Sequence, residues 1–197
     1  SEALDMCIRS LVSPGDEVLI PEPSFVCYVP LTQMARGVPV VIETKAEDHF
    51  RLTAQALREK ITPKTKLLIL PYPNNPTGAV MRREDLEAIA QVVEENNLLV
   101  LSDEIYGELT YGHQRHVCFA SLPGMRERTI VVNGFSKMFA MTGWRLGFAV
   151  GPRELIGPMT KLHQYAIMSA PTTAQYAATE ALRNGDGDIE YMRDQYD

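Results

Sequence analysis

"KLLILPYPNNPTGAVMRREDLEAIAQVVEENNLLVLSDEIY", residues 66–106, decides the fold class. Lys66–Leu70 and Leu98–Leu101 are short apolar runs of Leu, Ile and Val without a polar alternate, the pattern of strands covered on both faces. Between them, Arg83 to about Asn96 carries Leu86, Ile89, Val92 and Val93 at helical spacing. Glu84 and Asp85 stand where the positive end of a helix dipole favours acids. Strand, helix and strand in this order predict two parallel strands joined by a crossover.

The same alternation continues in both directions. Val18–Ile20, Val38–Ile42, Thr129–Val132 and Leu146–Val150 read as further strands, and about Phe25–Ala35, Thr53–Lys60, Arg153–Ala166 and Thr172–Arg183 as helices. The chain opens on "SEALDMCIRSLV", already helical in period, and closes on "YMRDQYD", inside another helix, so it is expected to be a piece of something longer. The fold class is α/β, with a mostly parallel sheet between two layers of helices. There is no internal repeat, low-complexity tract or linker.

At 197 residues, 45% hydrophobic and 22% charged, the chain can bury a full core as one domain. A formal charge of -6 argues against nucleic acid or an anionic membrane as the main partner, since both select basic surfaces, and points to small molecules. Cys7, Cys27 and Cys118 are widely spaced and form no C-x-x-C pair, which predicts free thiols in a reducing cytoplasm and no metal site. No run approaches the roughly 20 apolar residues of a membrane-spanning helix.

Ligands of parallel sheets bind at the carboxyl ends of the strands. There the sequence places "PEPSF" after Val18–Ile20, "PYPNNPTG" after Lys66–Leu70, "SDEIY" after Leu98–Leu101 and "NGFSK" after Thr129–Val132. Taken singly these are ordinary: Pro, Asn and Gly make turns, an Asp caps a helix, a lysine is a surface charge, a Phe is core. Together they bring an aromatic ring, an amide, a carboxylate and a lysine to one edge, with Arg145 eight residues beyond Lys137. The joint pattern is far more specific than its parts.

With "GFSKMFAMTGWRLG", residues 134–147, this pattern resembles the large domain of the class I/II aminotransferases, enzymes of fold type I that use pyridoxal 5'-phosphate (PLP). "NNPTG", "SDEIY" and "MTGWR" are further signatures of that family, and the resemblance covers essentially the whole chain. It implies a three-layer α/β/α domain of the PLP-dependent transferase type. It also implies that an N-terminal segment and a C-terminal small domain lie outside residues 1–197.

The resemblance makes Lys137 the lysine that joins the cofactor covalently and later carries a proton. Asp103 would sit against the pyridine nitrogen and keep it protonated, so that the ring can accept electrons. Asn75 and Tyr106 would hydrogen-bond the 3'-oxygen, and Phe25, at a place often held by Trp or Tyr, would stack on the ring. The phosphate would be held by the Arg145 fork, the Ser136 hydroxyl, and Ser1 with the amide of Glu2 at a helix N-terminus. Gly134 departs from the Ser or Thr common three residues before the lysine, which removes one phosphate contact. Relatives often have cis prolyl bonds at the positions of Glu22–Pro23 and Asn75–Pro76, and the same is expected here.

By the same resemblance the reaction is amino transfer between an L-amino acid and a 2-oxo acid such as 2-oxoglutarate, in the amino-acid metabolism of the cytoplasm, by a homodimer. "ILPYPNNPTG", "DEIYGELTY" and "LHQYAIMSAP" look most like the branch of N-acetyl-diaminopimelate, aromatic and aspartate aminotransferases, with the first of these placed ahead. Two alternatives are a PLP-dependent carbon–sulfur β-lyase, which uses the same lysine and aspartate, and the effector-sensing domain of an aminotransferase-like transcription regulator.

Overall fold

The computed structural model describes residues 1–112 and 114–197. Six strands form one sheet: β1 (Glu17–Glu22), β2 (Val38–Glu43), β3 (Thr65–Leu70), β4 (Leu99–Asp103), β5 (Thr129–Gly134) and β6 (Gly147–Val150). Their order is β2-β1-β3-β4-β5-β6. All neighbours are parallel except β5 and β6, which are antiparallel with Gly134 opposite Gly147. The helices are α1 (Glu2–Leu11), α2 (Tyr28–Met34), α3 (Ala54–Lys60), α4 (Arg83–Glu95), α5 (Phe135–Met138), α6 (Arg153–Ala166), α7 (Thr172–Asn184) and α8 (Asp186–Tyr196).

Residue alternation along the strands divides the core between the two sheet faces. Leu68, Leu70 and Val100 point to one face and pack with Leu57 of α3 and Leu86, Ile89, Val92 and Val93 of α4. Leu67, Ile69, Leu101 and Ile130 point to the other and pack with Leu4, Cys7 and Ile8 of α1, Tyr28 of α2 and Met159 of α6. Burial pushes the Cys7 thiol up to about 12, so it is a core group and not a nucleophile.

Local chemistry sets the helix starts. The Thr53 hydroxyl accepts the Ala56 N–H at 3.2 Å and opens α3. The Asp85 carboxylate reaches back to the Arg82 N–H at 3.2 Å and opens α4. Helix α2 starts three residues later than its periodicity predicts, because Pro23 to Cys27 are used in the turn that leaves β1. The four-residue α5 is too short to announce itself by period.

After β2 the chain crosses β1 and continues outward from β3, so the strand order reverses between β1 and β3. In parallel sheets a crevice opens beyond the strand ends at such a reversal. The loops leaving β1 and β3 flank it, and those leaving β4 and β5 extend it.

Candidate active site

Asp103 is the last residue of β4 and is only 7% exposed. Its Oδ2 accepts the Tyr28 hydroxyl at 2.8 Å and its Oδ1 accepts the Ile105 N–H at 3.3 Å. Both donors are neutral. Burial raises the carboxyl above its ordinary value, and the two hydrogen bonds work against that rise by favouring the charged form. A buried carboxylate that keeps free lone pairs and has no ion-pair partner among the described residues is suited to a cationic N–H brought by a ligand.

Tyr28 was not among the site residues expected from sequence. It lies three residues after Phe25 in "SFVCY" and reads there as one more helical position. Its ring meets Phe25 edge to face, with centroids 5.9 Å apart and planes at 80°. Phe25, Tyr28 and Asp103 thus form a continuous chain of contacts from the end of β1 to the end of β4.

Lys137 lies in α5, directly after β5, and is half-buried. Its Nζ stands 5.7 Å from the centroid of the Tyr106 ring, so the structure brings these two expected site residues together. Ser136 precedes Lys137 in the same short helix. A Cβ on Gly134 would lie 3.0 Å from the Gly147 Cα and 3.1 Å from the Leu146 carbonyl oxygen. A side chain at Gly134 would therefore need β6 to give by a few tenths of an ångström.

The remaining expected residues, Asn75, Arg145, Ser1 and Glu2, are exposed. Asn75 is exposed and joined to Pro76 by a cis bond; the neighbouring Asn74 is buried and fixes the turn, accepting the Thr77 hydroxyl at 2.8 Å. Glu22–Pro23 is also cis, as expected, and Tyr72–Pro73 is a third such bond that the sequence reading did not anticipate. Arg145 is exposed with a left-handed backbone, φ 53°, and donates from Nη1 to the Thr142 carbonyl at 2.6 Å. Among the described residues no carboxylate pairs with it, which leaves its fork for another anion. Ser1 precedes α1 without a side-chain cap, and the Glu2 carboxylate is engaged by His163 Nδ1 at 2.9 Å. A cavity of about 560 Å³ opens elsewhere, over β2 and α3, and none of the expected site residues lines it.

The family model for aminotransferase class I and II matches residues 1–197. The chain belongs to the class I and II aminotransferases. Enzymes of this family depend on PLP, and the α/β sheet described above is that of the fold-type-I aminotransferases. The chain is 46% identical to an aspartate aminotransferase of Pyrococcus abyssi, over 100% of its own length and 51% of the relative. It is 43% identical to the "Probable N-acetyl-LL-diaminopimelate aminotransferase" of Bacillus subtilis, over 100% of its length and 49% of the relative. The crystal structure of an aromatic aminotransferase from Pyrococcus horikoshii OT3 superposes with a TM-score of 0.96 at 47% identity, covering 99% of this chain and 53% of that one. The chain thus spans about half the length of the curated relatives it matches. Among the described residues no helix is long and apolar enough to cross a membrane.

Proposed function

We propose that residues 1–197 are most of the PLP-binding large domain of an aminotransferase that moves an amino group between an L-amino acid and a 2-oxo acid such as 2-oxoglutarate. The observation that carries this reading is the buried Asp103 carboxylate, held by neutral donors only, on the strand next to the one that leads into Lys137. The bound cofactor supplies a ring that accepts the electron pair released at the substrate Cα. Asp103 holds the proton on the ring nitrogen. Lys137 anchors the cofactor and moves the Cα proton, and Tyr106 beside it joins Asn75 in donating to the 3'-oxygen. Phe25 covers one face of the ring. Arg145, Ser136, Ser1 and the Glu2 amide hold the phosphate.

For the amino acid we propose an N-acetyl-diaminopimelate, aromatic or aspartate type, with the first placed ahead on "ILPYPNNPTG", "DEIYGELTY" and "LHQYAIMSAP". Identities of 46% and 43% to relatives named for two of these substrates lie too close together to rank them. The β-lyase alternative is not favoured, because the relatives carry aminotransferase names. Three free cysteines support a cytoplasmic setting, and the homodimer rests on the family resemblance.

The experiment adds PLP to the full-length protein and follows its visible band, then its conversion by glutamate. A band that Lys137→Ala abolishes, followed by conversion to the amine form, is the expected result. No band, or one that survives Lys137→Ala unchanged, refutes the cofactor assignment. Pyruvate and ammonia from cystathionine, without amino transfer to 2-oxoglutarate, would place the chain with the lyases instead.

A further inference from the structure

Tyr28 opens α2 and is 2% exposed. Phenylalanine would fill the same space, so the hydroxyl is the feature to explain. A buried hydroxyl without a partner costs about 1 to 3 kcal/mol, and the usual remedy is the backbone. Tyr72 takes that remedy, donating to the Phe50 carbonyl at 3.0 Å and accepting the Leu52 N–H at 2.9 Å. The Tyr28 hydroxyl instead reaches across 75 residues of sequence to a carboxylate at the site, 2.8 Å away.

The rest of Tyr28 is held firmly. Its carbonyl accepts the hydroxyl of the fully buried Thr32 at 2.9 Å, and its ring braces Phe25 at 80°. A carboxylate offers about four lone-pair sites. Tyr28 on Oδ2 and Ile105 on Oδ1 use two of them and hold both oxygens while leaving acceptor capacity on each.

We propose, resting on the reading above, that Tyr28 is a positioning residue for the cofactor: its hydroxyl fixes the Asp103 carboxylate that receives the ring nitrogen, and its ring edge sets the tilt of Phe25. One side chain therefore governs both the edge and the face of the ring. A charge-assisted hydrogen bond also favours the ionised form of Asp103 against the effect of burial.

The test compares wild type, Tyr28→Phe and, as a buried-hydroxyl control, Tyr72→Phe. The Asp103 carboxyl is titrated by ¹³C NMR in the cofactor-free protein, and PLP affinity is read from the visible band. Tyr28→Phe raises the Asp103 midpoint by about one pH unit and weakens PLP binding about tenfold. Tyr72→Phe lowers the melting temperature and moves neither. A midpoint or an affinity unchanged in Tyr28→Phe overturns the proposal while the cofactor site stands. If wild type gives no band that Lys137→Ala removes, the functional reading falls and this inference falls with it. Should Tyr28→Phe fold poorly, 3-fluorotyrosine in place of Tyr28 keeps the shape and strengthens the donor. The Asp103 midpoint then drops below that of wild type, and an unmoved midpoint overturns the proposal.

Discussion

Asp103 and Glu104 are neighbours in the chain and almost equally buried, at 7% and 3% exposure, yet they serve opposite faces of the sheet. Asp103 turns towards α2 and the crevice, where it keeps acceptor capacity free. Glu104 turns to the α4 side. There its Oε1 accepts the Ser102 hydroxyl at 2.9 Å and the Phe119 N–H at 3.1 Å, and its Oε2 shares a 2.7 Å hydrogen bond with His116 Nε2. A buried acid engaged by three protein donors holds structure together; one engaged by two neutral donors has more room for a ligand. Glu104 pins the loop between β4 and β5 to the core, and Asp103 stands at the crevice.

The largest expected effect separates the two acids by activity. Asp103→Asn should slow glutamate turnover in the PLP-loaded protein by about a hundredfold to a thousandfold, the usual scale for removing one preorganised charge. Glu104→Gln should stay within a few-fold of wild type. Equal losses in stopped-flow half-reactions would erase the distinction.

Stability should show the reverse. Glu104→Ala strands the Ser102, His116 and Phe119 donors in the core and should cost about 3 kcal/mol in urea unfolding. A cost below about 1 kcal/mol would mean that water replaces the carboxylate at no penalty.

A smaller effect has the opposite sign. Burial raises the Asp103 carboxyl, so the folded protein holds this proton to higher pH than the unfolded chain does. Below the ordinary carboxylate value of about 4 both forms are protonated and nothing is lost. As pH rises through that value the unfolded chain ionises first, and stability falls until the folded carboxyl ionises too. Asp103→Asn removes this fall and should raise the melting temperature of the cofactor-free protein near neutral pH. Melts at a series of pH values check this, and parallel curves for wild type and variant would contradict it.

The smallest effect tests the α4 side alone. Thr53→Ala removes the cap of α3 and should cost about 1 kcal/mol without changing PLP affinity. A change in affinity would show that the two faces are not independent.

Much of this was legible beforehand. All six strands lie where their apolar runs predict; β1, β3 and β4 are buried along most of their length and so leave continuous runs, while β2 and the exposed β6 are read from Val, Ile and Phe alone. Asp103 and Lys137 drew attention because they lie in the short segments that follow two of these runs, and their expected roles came from the family resemblance. Helix α5 and the true start of α2 were not legible, because four residues carry no period and the turn residues Phe25, Val26 and Cys27 are apolar and extend the helical pattern.

By itself the sequence determined the order of elements, the residue types at the strand ends and the family they resemble, all carried by local period and motif. Only the tertiary structure decided that β1 lies between β2 and β3, that β6 runs antiparallel, and that Tyr28 meets Asp103 while Glu104 meets His116. Period-two alternation requires Asp103 and Glu104 to face apart, but what each one meets depends on helices and loops folded back from distant parts of the chain.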